Sequence, residues 1–266
     1  MATTLFSTLT GSDKNEAIKR LIEESTPRDD FFLMTVLSVL MATFGLLTNS
    51  VAVIIGSMLI APLLSPILGL SLGVVMADSR LIFRSFWTIV KAIIWAVPAA
   101  AVVTLLFTSQ AGLNQDLNAE ILSRTEPSII SIAIAIVAGA AASFALIKPQ
   151  LSATLPGVAI SVAIIPPLAV TGIGLARFDI AVLTDSFILF VINAISIMFA
   201  STIVFSLMNL YVKREVADKV LNKEDRALVK EKALAQAEAE TKRKDVDTKK
   251  VLERVEKVIE EEERRL

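Results

Sequence analysis

The chain is 266 residues long, 54% hydrophobic and 20% charged, with a net charge of −1 and neither cysteine nor histidine. Those two absences exclude disulfides, thiolate metal sites and cysteine nucleophiles, and they remove an essential member from zincin, zinc-deaminase and serine–histidine chemistries. The charges are segregated. Between Phe31 and Tyr211 lie six basic and six acidic side chains, whereas the tail from Tyr211 carries sixteen basic and fifteen acidic ones, and so much uninterrupted apolar sequence does not suit a soluble core.

Residues 1–30 read as a polar, cytoplasmic N-terminal segment. They are too acidic for a cleavable signal, and no small-residue cleavage site follows a short apolar run. Within them, Lys14–Ser25 reads as a short amphipathic helix at the membrane surface. A helix crosses a bilayer with about 20 apolar residues, and six spans are expected over 31–210: Phe31–Leu47, Val51–Ala77, Phe83–Phe107, Ser128–Ile147, Leu155–Ala176 and Ile180–Leu210. The second contains Pro62 and Pro66, the third Pro98 and the fifth the pair Pro166–Pro167.

Lys91 lies close enough to the start of the third span to snorkel to the headgroups. In the fourth, Ala135, Gly139 and Ser143 recur every four residues and allow close helix approach, centrally or against another subunit. Asn193, with Ser196 one turn on, is a polar site inside the sixth span. Its plain explanation is an interhelical hydrogen bond, and its functional one is an outer position of a transport pathway. Lys14, Lys19, Arg20, Arg28, Arg80, Arg84, Lys148, Lys213 and Arg214 fall on one side of this topology, and only Arg124 and Arg177 on the other. That bias predicts both termini in the cytoplasm.

The tail, 211–266, has no proline or glycine and is rich in Lys, Glu, Ala, Arg and Leu, which favours helix. Leu252, Val255, Ile259 and Leu266 form an apolar stripe, so 246–266 suits a short coiled coil. Its balanced charges argue against a nucleic-acid partner. The expected partners are the lipid bilayer, further copies of the chain in a homo-oligomer and a soluble cytoplasmic protein held by 211–266.

Laid on itself, the chain matches Ile60–Ala61–Pro62–Leu63 with Ile165–Pro166–Pro167–Leu168 at an offset of 105, and Asp78 with Asp179 and Ser85–Phe86 with Ser186–Phe187 at an offset of 101. A repeat of three spans reverses orientation between copies. The expected fold is thus an all-α polytopic membrane protein, a 3+3 inverted repeat (about 31–107 and 128–210) with broken second and fifth helices and a cytoplasmic helical tail.

Proline lacks an N–H and its ring clashes with the carbonyl one turn back, so the carbonyls near Met58, Pro62, Val162 and Ala163 are expected to lose their helical partners. In lipid such groups must face protein or a wet cavity. Ser57, Pro62, Ser65, Pro66, Ser161, Pro166, Pro167 and Thr171 are therefore candidates for a substrate or ion pathway, against the alternative that the prolines only kink the bundle. Asp78 and Asp179 suit helix caps. No catalytic residue, metal cluster or cofactor motif is found, which makes an enzyme the third choice.

The run Asn49–Ser50–Val51–Ala52–Val53–Ile54–Ile55–Gly56–Ser57–Met58–Leu59–Ile60–Ala61–Pro62–Leu63 resembles the signature of the prokaryotic uncharacterized hydrophobic-domain family, domain of unknown function 389. Leu155–Ser161 with Ile165–Leu168 fits it too, and the resemblance covers roughly Arg28 to Leu210. It implies a bacterial or archaeal cytoplasmic-membrane domain and carries over no catalytic set. The leading expectation is a transporter or channel for a small solute or ion. The alternative is a membrane-anchored scaffold or signalling protein that recruits a soluble partner through its C-terminal helix.

Overall fold

The computed structural model describes residues 10–111, 117–148, 151, 164–231 and 233–236. It divides into two compact units, Met1–Leu221 and Asn222–Leu266. The second is helical over 222–231 and 233–236, and the coiled coil expected at 246–266 lies outside the described residues.

The first unit opens with α1, Gly11–Glu24, started by a capping box between Thr10 and Asp13. Its apolar face, Ala17, Ile18, Leu21 and Ile22, is buried. There follow α2, Asp29–Leu47; α3, Val51–Ile60; α4, Leu64–Met76; and α5, Ser79–Ala111. After the one-turn α6, Ala119–Leu122, come α7, Ile129–Ile147; α8, Ile165–Arg177; α9, Ile180–Leu207; and a 3-10 turn, Leu210–Lys213. The chain is helical again over 214–221.

No strand occurs among the described residues. The helices α2, α5, α7 and α9 are long and apolar enough to cross a membrane, and α3 with α4 forms an apolar pair bent by 49°, a broken span or a re-entrant loop. The expected break in the second span is present. The third span starts earlier than expected, at Ser79, and runs through Pro98 as one helix. Of the fifth only α8 is described, and its first part, with Ser161, lies outside the described residues.

Three helix-to-helix corners share one construction. After α2, α4 and α8 the chain turns through a left-handed residue, Asn49, Ala77 and Phe178 respectively. The next N–H returns to a glycine carbonyl: Ser50 to Gly45 at 2.8 Å, Asp78 to Gly73 at 2.9 Å and Asp179 to Gly174 at 3.0 Å. This is the Schellman closure of a helix end. A Cβ on any of these glycines would stand 3.0 Å or less from the backbone N of the next helix, at Ile54, Ile82 and Leu183, so glycine sets how tightly each pair folds back.

These corners give a structural register. The helices α4 and α8 are each 13 residues long and begin at Leu64 and Ile165, 101 positions apart. The same spacing relates Gly73 to Gly174, Asp78 to Asp179 and Ser85 to Ser186. It also sets Pro66 opposite Pro167, beside the 105-residue offset that relates the proline blocks. The helices α2 and α7 are both 19 residues long. Packing follows the pattern: α4 lies on α5 and α9, α8 lies on α9 and α5, α2 packs on α5, and α7 on α9.

The small-residue stripe of α7 is buried within the chain. Gly139 meets the backbone of Ile197 on α9, and Ser201 donates to the Gly139 carbonyl at 3.3 Å. At one end of the bundle α1, the α4–α5 corner and the chain after α9 gather: Lys14 Nζ donates to the Met208 carbonyl at 2.7 Å, Arg80 pairs with Asp218, and Arg84 donates to Thr26. At the other end Asn118 Nδ2 donates to the Leu46 carbonyl at 2.6 Å.

Candidate pathway at the broken helix

The break between α3 and α4 follows from Pro62. A residue before proline is pushed out of the α region, and Ala61 is extended, with φ −73° and ψ 123°. Helix resumes at Leu64, where Pro66 falls in the first turn and its missing N–H costs no helical bond. Pro166 and Pro167 likewise stand in the first turn of α8. Three of the four prolines therefore start helices, and only Pro62 lies within a break.

The carbonyls at the break are partly satisfied. Ser38 Oγ on α2 donates to the Ser57 carbonyl at 2.7 Å, and the Pro62 carbonyl accepts from Ser65 N at 3.3 Å. Pro66 has no N–H to give the Pro62 carbonyl a helical partner, and the turn bond from Ser65 takes its place. Among the described residues no backbone N–H from outside the helices reaches the carbonyls of Met58, Leu59 or Ile60. Val162 and Ala163 lie outside the described residues.

Two cavities meet at this break. One, of about 590 Å³, is an open vestibule. Its rim carries Arg20, Glu23, Glu24, Arg28 and Asp30, and its floor includes Ile60, Ala61, Pro62, Leu64 and Ser65. The other, of about 10 Å³, is lined by Met58, Ala61, Leu63, Leu64, Ile164 and Ile165. It is an apolar void with room for about one water. Ala61 and Leu64 belong to both, so the vestibule and the void adjoin at this layer, and Ile164 and Ile165 of the α8 start line the void.

The expected pathway residues divide accordingly. Pro62 and Ser65 line the vestibule, where Ser65 Oγ donates to Glu24 at 2.8 Å and Glu24 also holds Arg20 at 2.7 Å. Ser57 is buried and donates to the Ile54 carbonyl at 2.6 Å. Thr171 bonds the Pro167 carbonyl at 2.9 Å and Ser186 at 3.0 Å, tying α8 to α9. Pro66, Pro166 and Pro167 are buried in packed first turns. Asn193 is buried on α9 with its Oδ1 unpartnered, and it lines neither cavity.

Asp78 is buried, and its Oδ1 accepts from Arg80 N at 2.9 Å and Leu81 N at 3.2 Å; Asp179 accepts from Val182 N at 3.1 Å. Each carboxylate thus meets free donors at a helix start. Sequence reasoning missed the vestibule rim and the Ala61–Leu64 layer. The amphipathic pattern of Lys14–Ser25 marked the rim's helix, but nothing in it told that the helix docks on the bundle.

Among the described residues no group of three or more Asp or Glu could hold a metal ion. The model of the family described as domain of unknown function (DUF389) matches residues 58–199, more than half of the chain. The chain belongs to this family. An uncharacterized protein of the archaeon Methanocaldococcus jannaschii is 34% identical over 174 residues, which cover 65% of this chain and 52% of that protein. The chain thus spans about half the length of this relative. No solved structure matches.

Proposed function

We propose that this DUF389 protein moves a small solute or ion across a prokaryotic cytoplasmic membrane, along a pathway at its two interrupted segments. One observation carries the reading. The vestibule and the apolar void share Ala61 and Leu64, and Ile164 and Ile165 close the far side of the void. Water can reach the broken backbone from one side, and the next layer inward is the start of the second proline segment. A closed apolar constriction behind a charged mouth is the arrangement of a gated pathway.

The finer architecture of this proposal is six spans in a 3+3 inverted repeat with both termini in the cytoplasm. The 101-residue register, the equal lengths of α4 and α8 and their exchanged packing on α5 and α9 support the repeat. Lys14, Arg80 and Arg84 gather at one end of the bundle, which supports placing that end inside. Homo-oligomerisation belongs to the same reading, carried by lipid-facing surfaces, because the α7 stripe is used internally.

The test is flux of ions and small solutes into liposomes holding the purified chain, compared with Pro62→Ala/Pro167→Ala and with a chain ending at Tyr211. Flux above empty vesicles that the proline variant alters is expected. Flux equal to empty vesicles for every solute, with cellular function lost on tail deletion, points to the scaffold instead.

A further inference from the structure

The two halves of the broken span are held by different neighbours. The helix α3 packs on α2, with Ser38 bonded to the Ser57 carbonyl and Met41 touching the place a Gly56 side chain would fill. The helix α4 packs on α5, α9, α1 and the 3-10 turn. Between them stands the extended Ala61, beside a void that leaves the joint loosely filled.

Most of the packing on α4 comes from α5 and α9, and the chain's own flanking segments, α1 and the 3-10 turn, add a second, smaller set of contacts. From the N-terminal side, Ser25 Oγ donates to the Ser65 carbonyl at 2.9 Å and Glu24 accepts from Ser65 Oγ. From the C-terminal side, the 3-10 turn Leu210–Lys213 packs on α4, and Met208, Leu210, Ala217 and Leu221 are buried in the core that the bundle shares. Arg80, at the corner that ends α4, pairs with Asp218. Lys14 closes the ring on the Met208 carbonyl.

We propose that residues 208–221 act as a handle on a hinge at Ala61–Leu63: Arg80–Asp218 and the packing of the 3-10 turn on α4 couple this segment to α4, so displacing it swings α4 against α3 and changes the gap at the break. Hinges of this kind are a few element-terminal residues that absorb the backbone change. A protein pulling on the tail, or salt screening the half-exposed Arg80–Asp218 pair, then biases the broken helix. The coupling concerns the fold of the second span and stands whether or not that span conducts.

The native chain has no cysteine, so two spin labels can be placed cleanly. Labels at Ile55→Cys on α3 and Val74→Cys on α4, both at exposed positions, report the hinge in the full chain in nanodiscs. Leu37→Cys with Val102→Cys, on α2 and α5, is the control pair. The helix α4 is about 20 Å long at 1.5 Å per residue, so a swing of roughly 10° moves Val74 by about 3 Å.

Asp218→Arg is expected to shift or broaden the Ile55–Val74 distance by that amount and leave the control pair unchanged. Arg80→Asp with Asp218→Arg is expected to restore it, and raising the salt is expected to reproduce part of the shift in the native chain. An unmoved Ile55–Val74 distance in Asp218→Arg overturns the proposal. So does an equal shift of the control pair, or a double variant that behaves as Asp218→Arg does. Arg80→Lys with Asp218→Glu, which keeps the pair, must give the native distance.

Discussion

The shared corner construction makes a quantitative prediction about paired glycines. Alanine at Gly73 puts its Cβ 2.8 Å from Ile82 Cγ1 and 3.0 Å from Ile82 N. Alanine at Gly174 puts it 2.6 Å from Leu183 N, 2.9 Å from Leu183 Cα and 3.1 Å from Leu183 Cβ. Both changes gain helix propensity, worth about 1 kcal/mol. The costs differ in degree, because the next helix's backbone N is 3.0 Å away at Gly73 but 2.6 Å away at Gly174, so α9 must be pushed off further than α5. Overpacking of this kind costs typically about 1–3 kcal/mol.

Gly73→Ala is thus expected to end within about 1 kcal/mol of the native chain, and Gly174→Ala, at the top of that range, to lose about 2 kcal/mol net (about 3 less about 1). At about 2–4 °C per kcal/mol for a chain of this size, Gly174→Ala should lower the apparent Tm by roughly 4–8 °C. Gly73→Ala should move it by less than about 4 °C by the same conversion. The assay is the loss of the monodisperse peak in size-exclusion chromatography after heating in detergent. Equal stability of the two variants, or greater damage from Gly73→Ala, refutes the close-approach reasoning.

Other positions give further expectations. Ser38→Ala removes the bond to the buried Ser57 carbonyl and should cost about 1–3 kcal/mol, read in the same melt. Asn193→Leu removes a buried amide oxygen that has no partner, so it should leave the apparent Tm unchanged or raise it by a few degrees, whereas a fall would mean that an unseen bond was lost. Gly172→Ala sets a Cβ 2.4 Å from Ala100 Cβ and 2.8 Å from the Val97 carbonyl, and should reduce the yield of folded protein more than Gly174→Ala does.

Much of the helical layout was legible because hydropathy reports length directly. The expected fourth span, Ser128–Ile147, and the observed α7, Ile129–Ile147, differ by one residue. Asp78 and Asp179 could be read as caps because a carboxylate at a helix start has a defined job. The glycine corners were not legible. Gly45, Gly73 and Gly174 each approach the backbone of the next helix, and a sequence does not display that contact.

The hydroxyls show a further limit of the sequence. Ser57 and Thr171 each return a bond to a carbonyl within their own helix, a local option always open to Ser and Thr that spacing does not reveal. The vestibule could not be read at all, since it arises where α1 packs across the break and sequence gives no distance between the two.

The central claim is that the Ala61–Leu64 layer gates a path for solute. The most direct measurement is flux in liposomes through the Ala61→Cys variant before and after a water-soluble thiol reagent, which the otherwise cysteine-free chain makes specific. Flux that exceeds empty vesicles and falls on modification of that position, while the native chain is unaffected, is the expected result. Flux that the modified thiol leaves untouched would contradict the account.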